Sequence, residues 1–271
     1  MSACRFRYDI LLAFIFLLLC WPSFSVAAST ATLHKFAGYE MGYGTYRFEE
    51  KLDHKIVFPV ANITAGLAYK RFSYVLNLSG SLTEADVSEE EQIGSGSRQD
   101  IDLTVGYQFN KKVSLFIGYK DGVSRINFKS RVTSIYGTGN ERYEQDGFFS
   151  GVNFNWAYKN AGKLSVSVAY AKFNARNQFL QDEPFVIGGA DEFEFDDVTG
   201  NSSGTTSGFS YTLAYTLPIK GNLLFKTRLR LNRYEQDISG EQAATGGTVS
   251  YKFNDIAESS TMLLVGVTAV F

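Results

Sequence analysis

The sequence predicts an all-β fold: a transmembrane, antiparallel, up-and-down β-barrel of ten strands. Three observations predict it. Apolar and polar residues alternate with period two along most of the chain. The face opposite the large apolar residues is built mainly from Gly, Ala, Ser, Thr and Asn with isolated charges, where a solvated sandwich face would carry more Lys, Glu and Arg. The connections alternate between short and long, as periplasmic turns and external loops do in membrane barrels. Composition narrows the class further. The 271 residues are 45% hydrophobic and 15% aromatic, with 26 basic and 28 acidic side chains and a net charge of −2. That is too apolar and too nearly neutral for a disordered chain, and it lacks the basic excess of a nucleic-acid binder.

Residues 1–28 have the pattern of a secretory signal peptide. Arg5 and Arg7 precede an apolar run from Ile10 to Leu19, and Val26-Ala27-Ala28 supplies small residues before a cut near Ser29. The run is short for a spanning helix of about 20 residues. Leu19-Cys20 is a poor lipoprotein signal, because the residue before the Cys is large. Cleavage would remove both cysteines, Cys4 and Cys20, and leave 24 basic and 27 acidic residues. Disulfides and thiolate zinc sites would then be excluded from the mature domain, 29–271.

Strand patterns follow in order. Weaker ones fit 37–48, 58–69 and 72–83. Clear alternation runs through 101–109, 113–120, 148–158, 164–171, 209–217, 223–231 and 261–271. In the first of these, Ile101, Leu103, Val105, Tyr107 and Phe109 share one face, and Asp102, Thr104, Gly106 and Gln108 the other. Short turns are expected at Lys70-Arg71, 110–112, 159–163 and 218–222. Long loops are expected near 49–57, 84–98, 121–146, 177–206 and 236–258, with 248–253 and 124–136 readable as hairpin arms that lengthen the wall. Most segments have about the 9–11 residues of a tilted membrane strand. Ten strands place both ends of the barrel on the periplasmic side, and eight or twelve remain compatible. Tyr69, Phe72, Tyr74, Tyr107, Phe109, Trp156, Tyr158, Tyr215 and Phe271 fall on the apolar face at the short-turn end, where an interfacial girdle belongs.

On these features the chain resembles a bacterial outer-membrane β-barrel protein, with a porin-like pattern over the whole mature sequence. Its most specific point is the last strand, Leu263 to Phe271, which looks like the signal read by the barrel-assembly machinery, although Ala269 stands where an aromatic is common. The resemblance implies a multi-pass protein of the bacterial outer membrane. It implies outer-membrane lipid and lipopolysaccharide as surroundings, the assembly machinery as a partner through the strand ending in Phe271, a monomer, and no nucleic acid.

Parity assigns Glu40, Asp100, Asp102, Lys120, Lys226, Arg228 and Arg230 to the lumen. Opposite charges in a confined space pair, because an isolated charge there is costly. The same Lys226-x-Arg228-x-Arg230 ladder could instead guide anions through a pore. The first expectation is therefore a small passive channel for ions or small solutes, anionic ones included, lined by Lys226, Arg228, Arg230, Glu40, Asp102 and Lys120. The alternative is a closed structural or adhesion barrel acting through acidic loops at 84–98 and 177–206. A barrel enzyme ranks third. Within those loops, 191–197 is rich in carboxylates but lacks the glycine spacing of a calcium loop, and Phe185, Val186, Phe193 and Phe195 would suit contact with a partner or lipid. His34 and His54 are the two histidines; neither pairs with a nucleophile, and the sequence has no phosphate-binding Gly loop or HExxH motif. No enzymatic activity, cofactor or metal is expected.

Overall fold

The computed structural model describes residues 33–48, 55–87, 92–130, 138–159, 161–180, 198, 200–244 and 247–271. The signal segment, His54, 88–91, 131–137 and most of the second acidic loop, 181–197, lie outside the described residues. Every regular element among the described residues is a strand. They are β1 (Leu33–Phe48), β2 (Ile56–Tyr69), β3 (Phe72–Ser81), β4 (Ala85–Asp86), β5 (Gln92–Gln108), β6 (Val113–Ser130), β7 (Thr138–Tyr158), β8 (Gly162–Leu180), β9 (Gly200–Lys220), β10 (Leu223–Ala244) and β11 (Gly247–Val270). Consecutive long strands pair antiparallel, and two further pairings close the ring: β1 with β11 and β3 with β5. The result is a closed barrel of ten long strands, with the two-residue β4 added beside β5.

The outer wall is apolar where the period-two pattern places it. Met41, Tyr43, Leu103, Leu115, Ile117, Leu213, Leu263 and Val265 are exposed, and only a lipid phase accommodates so many large apolar side chains on one surface. Phe72, Phe109, Trp156, Tyr158 and Phe271 ring the short-turn end. A second ring, not anticipated from the sequence, bounds the band above. Tyr119 and Phe148 stand edge to face at 5.3 Å, and Tyr170 and Phe209 at 5.4 Å. On β7 the two rings are Phe148 and Trp156. Eight residues at about 3.3 Å each, reduced by strand tilt, give about 20 Å between the rings, close to the roughly 25 Å apolar band of a membrane barrel.

The main correction to the sequence reading lies above the second ring. The stretches 92–98, 121–130, 138–146, 177–180, 200–206, 236–244 and 247–258, placed in long loops with 124–136 and 248–253 also readable as hairpin arms, are strand. β11 is 24 residues long and β7 is 21, about twice what a bilayer needs. These arms continue the barrel beyond the membrane with the pattern inverted. Outward positions change from Phe148 to Asp146, Glu144 and Arg142 on β7, and from Tyr170 to Lys172, Asn174 and Arg176 on β8. Inward positions become apolar: Tyr143, Ile126, Phe173, Phe179 and Ile238 are buried. Within the bilayer the solvent outside is hydrocarbon; above it the solvent is water, and the same hydrophobic effect turns the amphipathic strand inside out.

One bulge keeps the last arm in phase. β10 pairs Gln236 with Ile256 and Ile238 with Phe253, so β11 carries one extra residue there, with Asp255 at φ 58°. Ile256 and Tyr251 are consequently both buried in the interior despite their odd separation. The Asp255 amide donates to Asp237 Oδ1 at 3.0 Å, which holds the kink.

Inward glycines make room for aromatic rings on the facing strand. Gly118 pairs with Phe149, and Gly151 with Phe116. A Cβ on Gly118 would lie 2.2 Å from the Phe149 ring and 2.6 Å from the Leu103 carbonyl oxygen. The ring could turn but the carbonyl cannot, so Gly118→Val is expected to lower unfolding stability by about 1–3 kcal/mol. Urea titration of the refolded protein in vesicles measures this, and an unchanged midpoint would refute it.

Candidate functional site: the barrel interior

The interior has three levels. The uppermost, inside the arms, is an apolar cluster that includes Tyr46, Phe48, Ile56, Phe58, Ile126, Tyr143, Phe179, Val198, Ile238 and Ile256, with Ala85 and Val87 from the segment around β4. β1 and β7 lie opposite one another in the ring of ten, yet the rings of Phe48 and Tyr143 approach to 4.9 Å and those of Tyr46 and Tyr143 to 6.2 Å. The walls therefore touch across the full width of the barrel.

Directly below, at the level of Tyr119, is a buried charge network. Arg98 clasps Asp100 with two bonds, Nε to Oδ2 at 3.0 Å and Nη2 to Oδ1 at 3.1 Å. Its Nη1 donates to Ser124 Oγ at 3.1 Å and lies 3.6 Å from Glu258 Oε1. Lys120 Nζ reaches Asp100 Oδ1 at 2.9 Å, and Gln145 donates to Glu258. The guanidinium also sits 4.7 Å from the centre of the Tyr46 ring, joining the charged level to the apolar one. Two cations balance two carboxylates, which is what makes burial of all four tolerable.

The third level occupies the membrane-embedded middle. Arg230 Nη1 crosses from β10 to Asp102 Oδ2 on the opposite strand β5 at 2.8 Å. Arg228 Nη2 donates to Glu40 Oε2 at 2.6 Å, and Lys226 Nζ lies 3.7 Å from Glu40 Oε1. Asn62 donates to Glu40 at 3.0 Å and to Thr64 at 2.9 Å, and Thr64 donates to Asn77 at 2.8 Å. From here to the short turns the lumen widens into a cavity of about 1140 Å³ whose lining runs from Phe173 and Tyr234 down to Tyr158, Gly162 and Pro218.

All six residues expected to line a pore face the interior. The structure divides them: Lys226, Arg228, Arg230 and Asp102 border the cavity, while Lys120 joins the network above it and Glu40 lies behind, bonded to Arg228 and Asn62. The sequence reading does not find Arg98, Glu258 or Gln145. Arg98 shares the parity of Asp100 and Asp102, which is the signal that would find it; Glu258 and Gln145 lie in stretches that read as loop. His34 is exposed at the start of β1. Among the described residues no cluster of His, Cys, Asp and Glu could hold a metal ion.

The closed ring, its apolar membrane band with two aromatic girdles, and its short turns at one end define a bacterial outer-membrane β-barrel, a multi-pass protein of the outer membrane. No family model and no curated protein matches the chain. Solved structures do. The outer membrane protease OmpT from Escherichia coli is similar at TM-score 0.56 and 10% identity, over 91% of this chain and 100% of that one. The translocator domain of autotransporter NalP from Neisseria meningitidis matches at TM-score 0.45 and 12% identity, over 99% of this chain and 97% of that one. At such identities the likeness to OmpT is one of fold.

Proposed function

We propose that this barrel is closed and works at the cell surface, as a scaffold that displays its extended arms and acidic loops for adhesion. The observation that carries this is the contact between opposite walls, Phe48 with Tyr143 and Arg230 with Asp102, at two separate heights of the lumen. A permeant ion would have to break a dry aromatic contact and a balanced charge network, and neither rearranges cheaply. The arms agree with this reading, since outward Arg142, Glu144, Asp146 and Arg176 present a hydrophilic wall above the bilayer.

The passive channel for small anions is the second reading. It draws on the cavity and on Lys226, Arg228 and Arg230 beside it, and it requires the outer half of the lumen to open.

The surface role is tested by replacing 181–197 with a Gly-Ser linker in bacteria carrying the protein. Auto-aggregation and attachment to epithelial monolayers are expected to fall to the level of cells lacking the protein, while the barrel keeps its heat-modifiable migration on gels. Attachment that survives the replacement would reject the role given to that loop.

A further inference from the structure

The cavity at the short-turn end has the chemistry of a binding pocket, and neither the surface role nor passive conduction needs one. Its lining carries four cations, Lys163, Lys226, Arg228 and Arg230, against a single carboxylate, Asp102. Counting Glu40, which faces the interior and accepts from Arg228, still leaves an excess of positive charge. The cations are under-used by the protein. Arg228 bonds Glu40 through Nη2 only, and its buried Nε has no hydrogen-bond partner. Lys226 is held at 3.7 Å from Glu40, beyond hydrogen-bond range. Positive charge concentrated in a low-dielectric enclosure attracts anions strongly. Above the cations the pocket ends against the packed rings of Phe149, Phe173 and Tyr234. Around them the lining alternates hydroxyls with the rings of Phe36, Phe116, Phe149 and Phe173. A volume of about 1140 Å³ suits one small organic molecule.

We infer that this cavity is a blind pocket, open to the periplasm, that binds a small organic oxyanion, a carboxylate or phosphate ester with an apolar body. The charged group meets Lys226 and the cavity-facing edge of the Arg228 guanidinium, and the apolar body packs on the phenylalanines. The inference rests on the closed outer end argued above. It adds a periplasmic ligand to a protein whose other work is outside the cell.

Titration calorimetry of the refolded protein in zwitterionic micelles, with phenyl phosphate as the probe, tests it. Saturable binding is expected, weaker with inorganic phosphate. One lost charge-assisted hydrogen bond weakens an anion by about tenfold to a hundredfold, so Arg228→Gln and, independently, the pair Lys226→Gln with Lys163→Gln should each show that loss. The second pair spares the Arg228–Glu40 bond and so guards against misfolding, which gel migration also checks. The side of access is read by attaching a bulky polyethylene glycol maleimide to single cysteines. At Pro218→Cys, on the inward face at the pocket mouth, it should block binding, and at Ser203→Cys, on an arm at the far end, it should not. Absence of saturable binding, or binding unchanged in both sets of variants, would overturn the pocket. Steady conductance with binding intact would overturn the closed outer end and leave the anion site standing, so the two failures are distinguishable.

Discussion

In a planar bilayer, the refolded chain is expected to insert without opening a steady ion path. The reason is geometric before it is electrostatic. A barrel of ten strands is near the size whose interior side chains can fill, and here they do so at successive heights. Tyr143 from β7 meets Tyr46 and Phe48 from the opposite wall. Beneath them Arg98 reaches from β5 toward Glu258 on β11, while Gln145 reaches the same carboxylate from β7. Arg230 then spans to Asp102. Opening one level leaves the next in place. Truncating Phe48 and Tyr143 to Ala together should therefore cost stability, about 3–5 kcal/mol for one large aromatic and less than twice that for two in contact, and still give no ohmic current. Single-channel recording under a salt gradient decides the matter. Steady openings with anion preference in the unaltered protein would restore the channel, and replacing Lys226, Arg228 and Arg230 by Gln would show whether that ladder sets the preference.

The residues that make the barrel legible are those in the bilayer. At 101–109 and 209–217 every second side chain is large and apolar, as are most at 261–271, because the outer face meets lipid, and the strands appear there as expected. The arms escape for a physical reason. Their alternation has opposite sign, as in Lys172-Phe173-Asn174-Ala175-Arg176, and a sequence searched for an apolar outer face reads such a stretch as polar loop. Alternation itself is present and is enough to extend β8 to Leu180. The bulge at Asp255 hides the phase of Tyr251 and Phe253 in another way, since one inserted residue flips every side chain beyond it. For the interior, parity gives the direction of Glu40, Asp102, Lys120 and the basic ladder. It cannot give distance across the lumen. That is why mutual pairing and anion guidance both fit the sequence, until β5 and β10 are seen to face each other.

A single-residue loss of stability as large as that of a core aromatic is expected at Arg98. Its guanidinium is 5% exposed and is shared by Asp100, Glu258, Ser124 and the Tyr46 ring. With Lys120 present, the four ionised groups sum to zero charge. Arg98→Met keeps much of the volume but leaves two carboxylates facing one ammonium, and Lys120 Nζ reaches Asp100 rather than Glu258. An uncompensated buried charge of this kind costs about 3–5 kcal/mol. The double variant Arg98→Met with Glu258→Gln restores neutrality, since Asp100 and Lys120 remain a pair, and Gln145 can still donate to the amide oxygen introduced at position 258. The double variant should then be more stable than the Arg98→Met single, although it departs further from the native sequence. Equilibrium unfolding in urea with vesicle-inserted protein gives all the corners of this cycle. If Arg98→Met unfolds within about 1 kcal/mol of the native protein, the network is solvated and weak, and the charged level would no longer count as a barrier. Additive effects of the two substitutions would say that Arg98 and Glu258 do not feel each other, and the seal would then rest on the aromatic level alone.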